Sequence, residues 1–166
     1  NKLILLHDDT LDRTTNSEEE FGKKDVKPSE KTYEELSVLN FGENFKTPDG
    51  EYPYRGLRGE DIPKNLKVVL LEDVLDYLCS NGDFTFIIEI KDKGEQGFKA
   101  ADELYRILKE KGLLEKVVFG TFNGDVTKYV DENHPDMLRS SSIVEVVAFY
   151  FAAAYNIDLN EDFYKF

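Results

Sequence analysis

The stretch that most limits how this chain can fold is Leu3-Ile4-Leu5-Leu6, followed at once by His7-Asp8-Asp9-Thr10-Leu11-Asp12-Arg13-Thr14-Thr15-Asn16. Four consecutive apolar residues read as a strand buried on both faces, which is the usual state of a parallel strand covered by helices on each side. His7 then stands at the carboxyl end of that strand. In parallel α/β proteins the loops leaving those ends surround a shared cleft, so catalytic groups collect there. An imidazole, three carboxylates and a guanidinium within seven residues can move a proton and bind an anion in one place. On residue types alone, a plain polar turn after a strand is the competing reading.

A second strand is predicted at Phe84-Thr85-Phe86-Ile87-Ile88-Glu89-Ile90-Lys91. Period two puts Phe86, Ile88 and Ile90 on one face and Thr85, Ile87, Glu89 and Lys91 on the other. The first face suits packing under helices. The second ends in a carboxylate and an ammonium, which in a barrel point inward at the mouth. Two such charges are costly to desolvate without a ligand, a metal or each other, and a mutual ion pair near water fits the pattern as well.

The rest of the chain alternates in the same way. Asn16 to Lys31 reads as a surface loop, and Thr32 caps a short helix through Leu39 with Glu35 completing a capping box. Phe41 to Lys64, rich in glycine and proline, is a long irregular segment of the kind used for lids or insertions. Its Tyr52, Tyr54, Arg55 and Arg58 either cover a substrate head group or belong to a solvated loop. Helices follow at Leu71 to Leu78, Gly97 to Lys111 and Val126 to Asn133. Between the last two, Lys116 to Phe119 forms a strand that ends in Thr121-Phe122-Asn123, where Phe122 either lines a cleft or is core. Residues 135–142 and 143–150 give another strand and its helix. Such alternation suits an open doubly wound sheet and a closed barrel equally.

The motifs themselves narrow this. The decamer from His7 to Asn16 resembles the second signature of the glycerophosphodiester phosphodiesterase family, matching it at every fixed position. Ile88-Glu89-Ile90-Lys91 is similar to that family's third signature, and Thr121-Phe122-Asn123 to the Ser-Phe-(Asn or Asp) after its next strand. The resemblance implies an α/β fold of the TIM (β/α)8 barrel type and metal-dependent hydrolysis of glycerophosphodiesters to an alcohol and glycerol 3-phosphate. It makes His7 one of two catalytic imidazoles and Glu89 a ligand of a divalent cation, calcium or magnesium. Lys91 and Arg13 would meet the phosphate, Asp8 would orient the imidazole or the substrate glycerol, and Phe122 would line the cleft. The family's His-Arg-Gly and Glu-x-Asp motifs do not occur in this chain, and a barrel of about 250 residues exceeds its 166. The expectation is therefore a partial domain over residues 1–166 without the first and last strands. A non-catalytic barrel used for binding, and a lysophospholipase-D-like lipid phosphodiesterase, are the alternatives.

Composition adds limits. A formal net charge of -13 argues against nucleic acid or an anionic membrane surface as partner and leaves a small phosphodiester, met by local positive charge, as the expected one. No run is long enough to span a membrane, and a cytoplasmic address is expected. The single cysteine, Cys79, has no internal disulfide partner and is expected in the core. His134, in Asn133-His134-Pro135, is expected at the surface of a turn without an acidic neighbour arranged for catalysis. The oligomeric state is left open.

Overall fold

A computed structural model describes residues 2–155 and 157. The chain forms two compact units, Lys2–Ser80 and a second that runs from Asn81 onward.

In the first unit, Leu3 to Leu6 is extended but is not the doubly buried strand expected. It makes one antiparallel bridge, Ile4 with Leu70, through Leu5 N to Val69 O at 3.0 Å and Leu71 N to Leu3 O at 2.9 Å. Leu5 is 43% exposed. Two backbone bonds to one short partner cannot cover both faces, so only Ile4 and Leu6 turn into the core, against Leu11, Val26, Leu36, Leu39 and Val68.

Two short helices line that core. The first, α1 (Ser17–Phe21), interrupts the expected loop and ends at Gly22, whose φ of 66° is left-handed and closes the helix onto Glu18 O. Its Glu18, Glu19 and Glu20 sit at the positive end of the helix dipole. The second, α2 (Tyr33–Ser37), carries the predicted capping box: the Thr32 hydroxyl accepts from Glu35 N at 3.2 Å and the Glu35 carboxylate accepts from Thr32 N at 2.8 Å. The segment predicted irregular, Phe41 to Lys64, is so apart from short 3-10 turns at Gly59–Asp61 and Lys64–Leu66, yet it is tied down. Glu43, 9% exposed, accepts from Arg58, Gly56 N and Asn40. α3 (Leu71–Asn81) follows, inserting Leu71 and Leu75. Cys79 is exposed, not core, because packing gives out in the last turn of this helix.

In the second unit, β1 (Phe86–Glu89) and β2 (Val117–Gly120) pair in parallel with Phe86 opposite Val117 and Glu89 opposite Gly120. They are connected through α4 (Gly94–Lys111). Parallel neighbours need such a crossover. Ala101, Leu104, Ile107 and Leu108 form the buried stripe of α4, beside Val126 and Val130 of α5 (Gly124–Asn133). Gly97 permits the close approach: a Cβ there would lie 2.5 Å from Val126 Cγ2 and 2.7 Å from Asp92 O. The strand expected over 135–142 shrinks to a parallel bridge between Phe119 and Arg139, with Phe119 N to Leu138 O and Ser140 N to Phe119 O both at 2.8 Å.

α6 (Ile143–Ala154) starts at a second capping box, Ser142 with Glu145, not anticipated from the sequence. Arg139 places two guanidinium nitrogens on the Glu145 carboxylate at 2.8 Å each and a third on Asp131 at 2.6 Å. His134 departs from expectation too. Its side chain is only 13% exposed, with Nε2 2.7 Å from Asp102 Oδ1, and it stacks on Tyr105 at 4.3 Å. The turn folds back onto α4, so this imidazole has an acidic neighbour and joins two helices.

Candidate active site

In the first unit the site is built on the loop from His7 to Asn16, whose residues divide into anchors and chemistry. Leu11 is fully buried, and its N–H donates to Val26 O at 2.9 Å. Thr15 returns to Leu11 O through its N–H (3.0 Å) and its hydroxyl (2.8 Å), and that hydroxyl accepts from Ser17 N at 3.1 Å. Asn16, also buried, accepts Asn40 N on Oδ1 at 2.8 Å. Asp12 points to the loop rather than to solvent, accepting Asp25 N at 3.1 Å. These residues fix the backbone so that His7, Asp8 and Arg13 project from it.

The three projecting side chains are joined. His7 Nδ1 lies 3.0 Å from Asp8 Oδ1, and Arg13 Nη2 donates to the same oxygen at 2.9 Å, while Arg13 Nε donates to Asp8 Oδ2. His7 is 85% exposed and Asp8 only 20%. The Arg13 fork, and then the His7 hydrogen bond, hold the Asp8 carboxyl down to about 2. Asp8 is thus ionised at neutral pH and can only accept. In the neutral form of this imidazole the proton therefore belongs on Nδ1, facing Asp8, which leaves Nε2 as the acceptor.

In the second unit the alternation at β1 holds. Phe86 and Ile88 are half-buried and Ile90 is buried, while Ile87, 84% exposed, and Glu89 lie on the open face. Glu89 Oε2 and Lys91 Nζ pair at 2.8 Å, each about one-third exposed. The backbone beyond is held from β2. Ile90 N donates to Gly120 O at 2.9 Å, and Asn123 Nδ2 donates to Lys91 O at 3.3 Å and Asp92 O at 3.2 Å. Asn123 is itself held by Thr121, whose hydroxyl accepts from Asn123 N at 3.1 Å. Phe122 is 72% exposed, which rules out the core alternative for this side chain.

Among the described residues no group of three or more His, Cys, Asp and Glu gathers. Calcium takes six to eight oxygens and magnesium an octahedron, whereas β1 offers a single carboxylate already paired with Lys91. The described residues therefore do not by themselves make up a complete site for such a cation.

Asparagines take roles that the sequence motifs do not give, Asn123 standing within a motif and Asn40 and Asn44 outside any. Asn40, Asn44 and Asn123 bridge loops with one side chain each. The available signal was an amide lying in, or just beyond, an irregular segment next to a motif. Among the described residues no helix is long and apolar enough to cross a membrane.

A sequence model of the glycerophosphoryl diester phosphodiesterase family matches residues 1–157. No curated protein matches significantly. Among solved structures, the chain is similar to the glycerophosphoryl diester phosphodiesterase domain of a Mycobacterium tuberculosis protein, with 18% identity and a TM-score of 0.65 over 95% of this chain and 50% of that one. A Silicibacter pomeroyi protein named as a glycerophosphoryl diester phosphodiesterase gives 18% identity and a TM-score of 0.61, covering 84% of this chain and 49% of the other. A glycerophosphoryl diester phosphodiesterase from Parabacteroides distasonis gives 20% and 0.52, over 94% and 44%. The likeness shows an α/β fold of the TIM-barrel kind, and the chain spans about half the length of these structures.

Proposed function

The chain belongs to the glycerophosphoryl diester phosphodiesterase family, and we propose that it contributes His7 as the general acid or base in hydrolysis of a glycerophosphodiester to an alcohol and glycerol 3-phosphate. The carrying observation is the His7–Asp8–Arg13 cluster, in which an ionised carboxylate holds Nδ1 and leaves Nε2 exposed.

A phosphodiester anion repels nucleophiles, and its departing alkoxide needs a proton. Attack by the free glycerol hydroxyl forms one P–O bond and breaks the bond to the alcohol, giving a cyclic phosphate that water opens in a second step. A proton leaves the attacking hydroxyl and another must reach the departing oxygen. His7 Nε2 accepts or supplies one of these. Asp8 keeps the imidazole oriented and stabilises its cation, as an acidic partner does in other imidazole sites.

Arg13 spends Nε and Nη2 on Asp8, leaving its remaining N–H groups for an anionic oxygen. Lys91 is a point charge for a non-bridging phosphate oxygen, and its arrival there frees Glu89 from the pair. Glu89 is then the carboxylate that β1 can offer to calcium or magnesium. Phe122, on an exposed turn, presents an apolar face to the substrate.

The test is release of glycerol 3-phosphate from glycerophosphocholine by the full-length protein, with chelator and with calcium or magnesium restored. Metal-dependent release is expected. No release under any condition, with hydrolysis of a lysophospholipid instead, moves the substrate to a lipid; no hydrolysis of either leaves a barrel that only binds.

A further inference from the structure

We propose that Asn44 is a positioning residue for the His7–Asp8–Arg13 cluster, an inference that rests on the diesterase reading for its effect on turnover. Asn44 lies in the irregular segment after α2, yet its side chain reaches back to the loop that carries the site. Nδ2 donates to Asp12 O at 3.1 Å and to Thr15 O at 3.2 Å. An amide nitrogen has two N–H groups, so one side chain satisfies the carbonyls on either side of Arg13 and Thr14. On its outer side, Asn44 Oδ1 accepts from Arg55 Nη2 at 3.4 Å, and the Arg55 guanidinium lies 3.5 Å over the Tyr52 ring. The three side chains form a strut from Tyr52 through Arg55 and Asn44 to the turn.

The chemical end of that turn is held by polar contacts alone. Arg13 is 68% exposed and His7 85%, so their placement depends on hydrogen bonds rather than on packing. Leu11, Thr15 and Asn16 secure the turn from the core side, and Asn44 secures it from the outside. A shift of the Arg13 backbone passes directly to Asp8, through the fork, and from Asp8 to His7 Nδ1. Small misplacements of a catalytic group cost rate more than they cost stability. Asn44 is itself exposed, and hydrogen bonds in competition with water add little to folding. The expected signature is lost geometry with an intact fold.

The experiment uses the full-length protein labelled with ¹⁵N and follows hydrogen exchange of the Arg13 Nε–H, assigned by comparison with Arg13→Lys. In Asn44→Ala this exchange is expected to quicken by about ten-fold, the loss of a charge-assisted bond's protection. In parallel, kcat for glycerophosphodiester falls about ten- to hundred-fold while KM holds within about two-fold. Asn44→Asp keeps the shape and the acceptor for Arg55 but has no N–H to donate, and it is expected to lose as much; it decides the matter by the same readout if the alanine variant does not fold. Unchanged Arg13 exchange in the folded variant overturns the proposal, whatever happens to turnover. A wild-type protein without diesterase activity defeats the functional reading alone, since Arg13 exchange still reports on Asn44.

Discussion

The loop that carries His7 and the strand end that carries Glu89 and Lys91 hold their functional groups by different means. Around His7 the backbone is irregular, and side chains do the holding: Thr15, Asn16 and Asn44 each satisfy main-chain groups that no ladder serves. Around Glu89 the backbone is a parallel ladder in register with β2, and a single asparagine, Asn123, extends the grip past the end of the strand. A ladder tolerates changes of side chain because its bonds are between main-chain groups. A capped loop does not, so the first region should be the more sensitive to polar substitutions and the second to changes in its packed core.

The largest effect should come from the first region. His7→Ala in the full-length protein is expected to lower kcat for glycerophosphocholine by about 10²- to 10⁴-fold with an unchanged circular dichroism spectrum. Near-normal turnover would remove His7 from the proton transfer.

In the second region the corresponding break is Phe119→Ala. Phe119 is 1% exposed in β2, and its truncation should cost about 3–5 kcal/mol of unfolding free energy in a urea titration. A loss below about 1 kcal/mol would mean that β2 is not packed as described. The strand-end charges make a smaller, more specific case. Glu89→Gln should weaken calcium affinity of the full-length protein by about ten-fold or more, measured by titration calorimetry with glycerol 3-phosphate present to occupy Lys91; unchanged affinity would remove Glu89 from any ligand set. Thr32→Ala, which deletes one half of the α2 capping box, should cost only about 1 kcal/mol, and a loss several times larger would show the helix start bearing on the core.

The pH dependence sharpens the comparison most finely. Asp8 is held down to about 2 by Arg13 and His7, and Glu145 to about 2 by Arg139 first and by Ser142. A depressed folded-state value means that the unfolded chain takes up the proton more readily. The contributions of both groups are present in full above the ordinary carboxylate range and are lost as pH falls from about 4 toward 2. Acid titration of Arg13→Lys should show the Asp8 carboxyl resonance moving at higher pH than in wild type, with Glu145 unmoved. Identical Asp8 midpoints would refute the Arg13 fork.

Much of the site is legible in the sequence. The capping box at Thr32 and Glu35 is a local pattern whose partners lie three residues apart, so sequence spacing is enough to specify it. The faces of β1 followed from period two, and Ile87 and Glu89 do share the open face. The segment from Leu3 to Leu6 departs from the expected buried strand because an apolar run records what a strand could bury, not what is there to bury it. Cys79 and His134 depart from expectation for the same reason. Their surroundings come from elements elsewhere in the fold: the end of α3 for one, Asp102 and Tyr105 of α4 for the other.

What the sequence determined by itself is the set of local instructions: the alternation of strands and helices, the helix start at Thr32, and the residues able to do acid–base chemistry. These depend on backbone propensity and on neighbours a few positions apart. Only the tertiary structure decided that Arg13 turns back onto Asp8, that Lys91 closes on Glu89, and that Asn44 and Asn123 clamp the loops on which those groups stand. The two clamps join residues about thirty positions apart. At that separation no spacing rule pairs a donor with its acceptor; only the packing of the elements between them brings the two within hydrogen-bond reach.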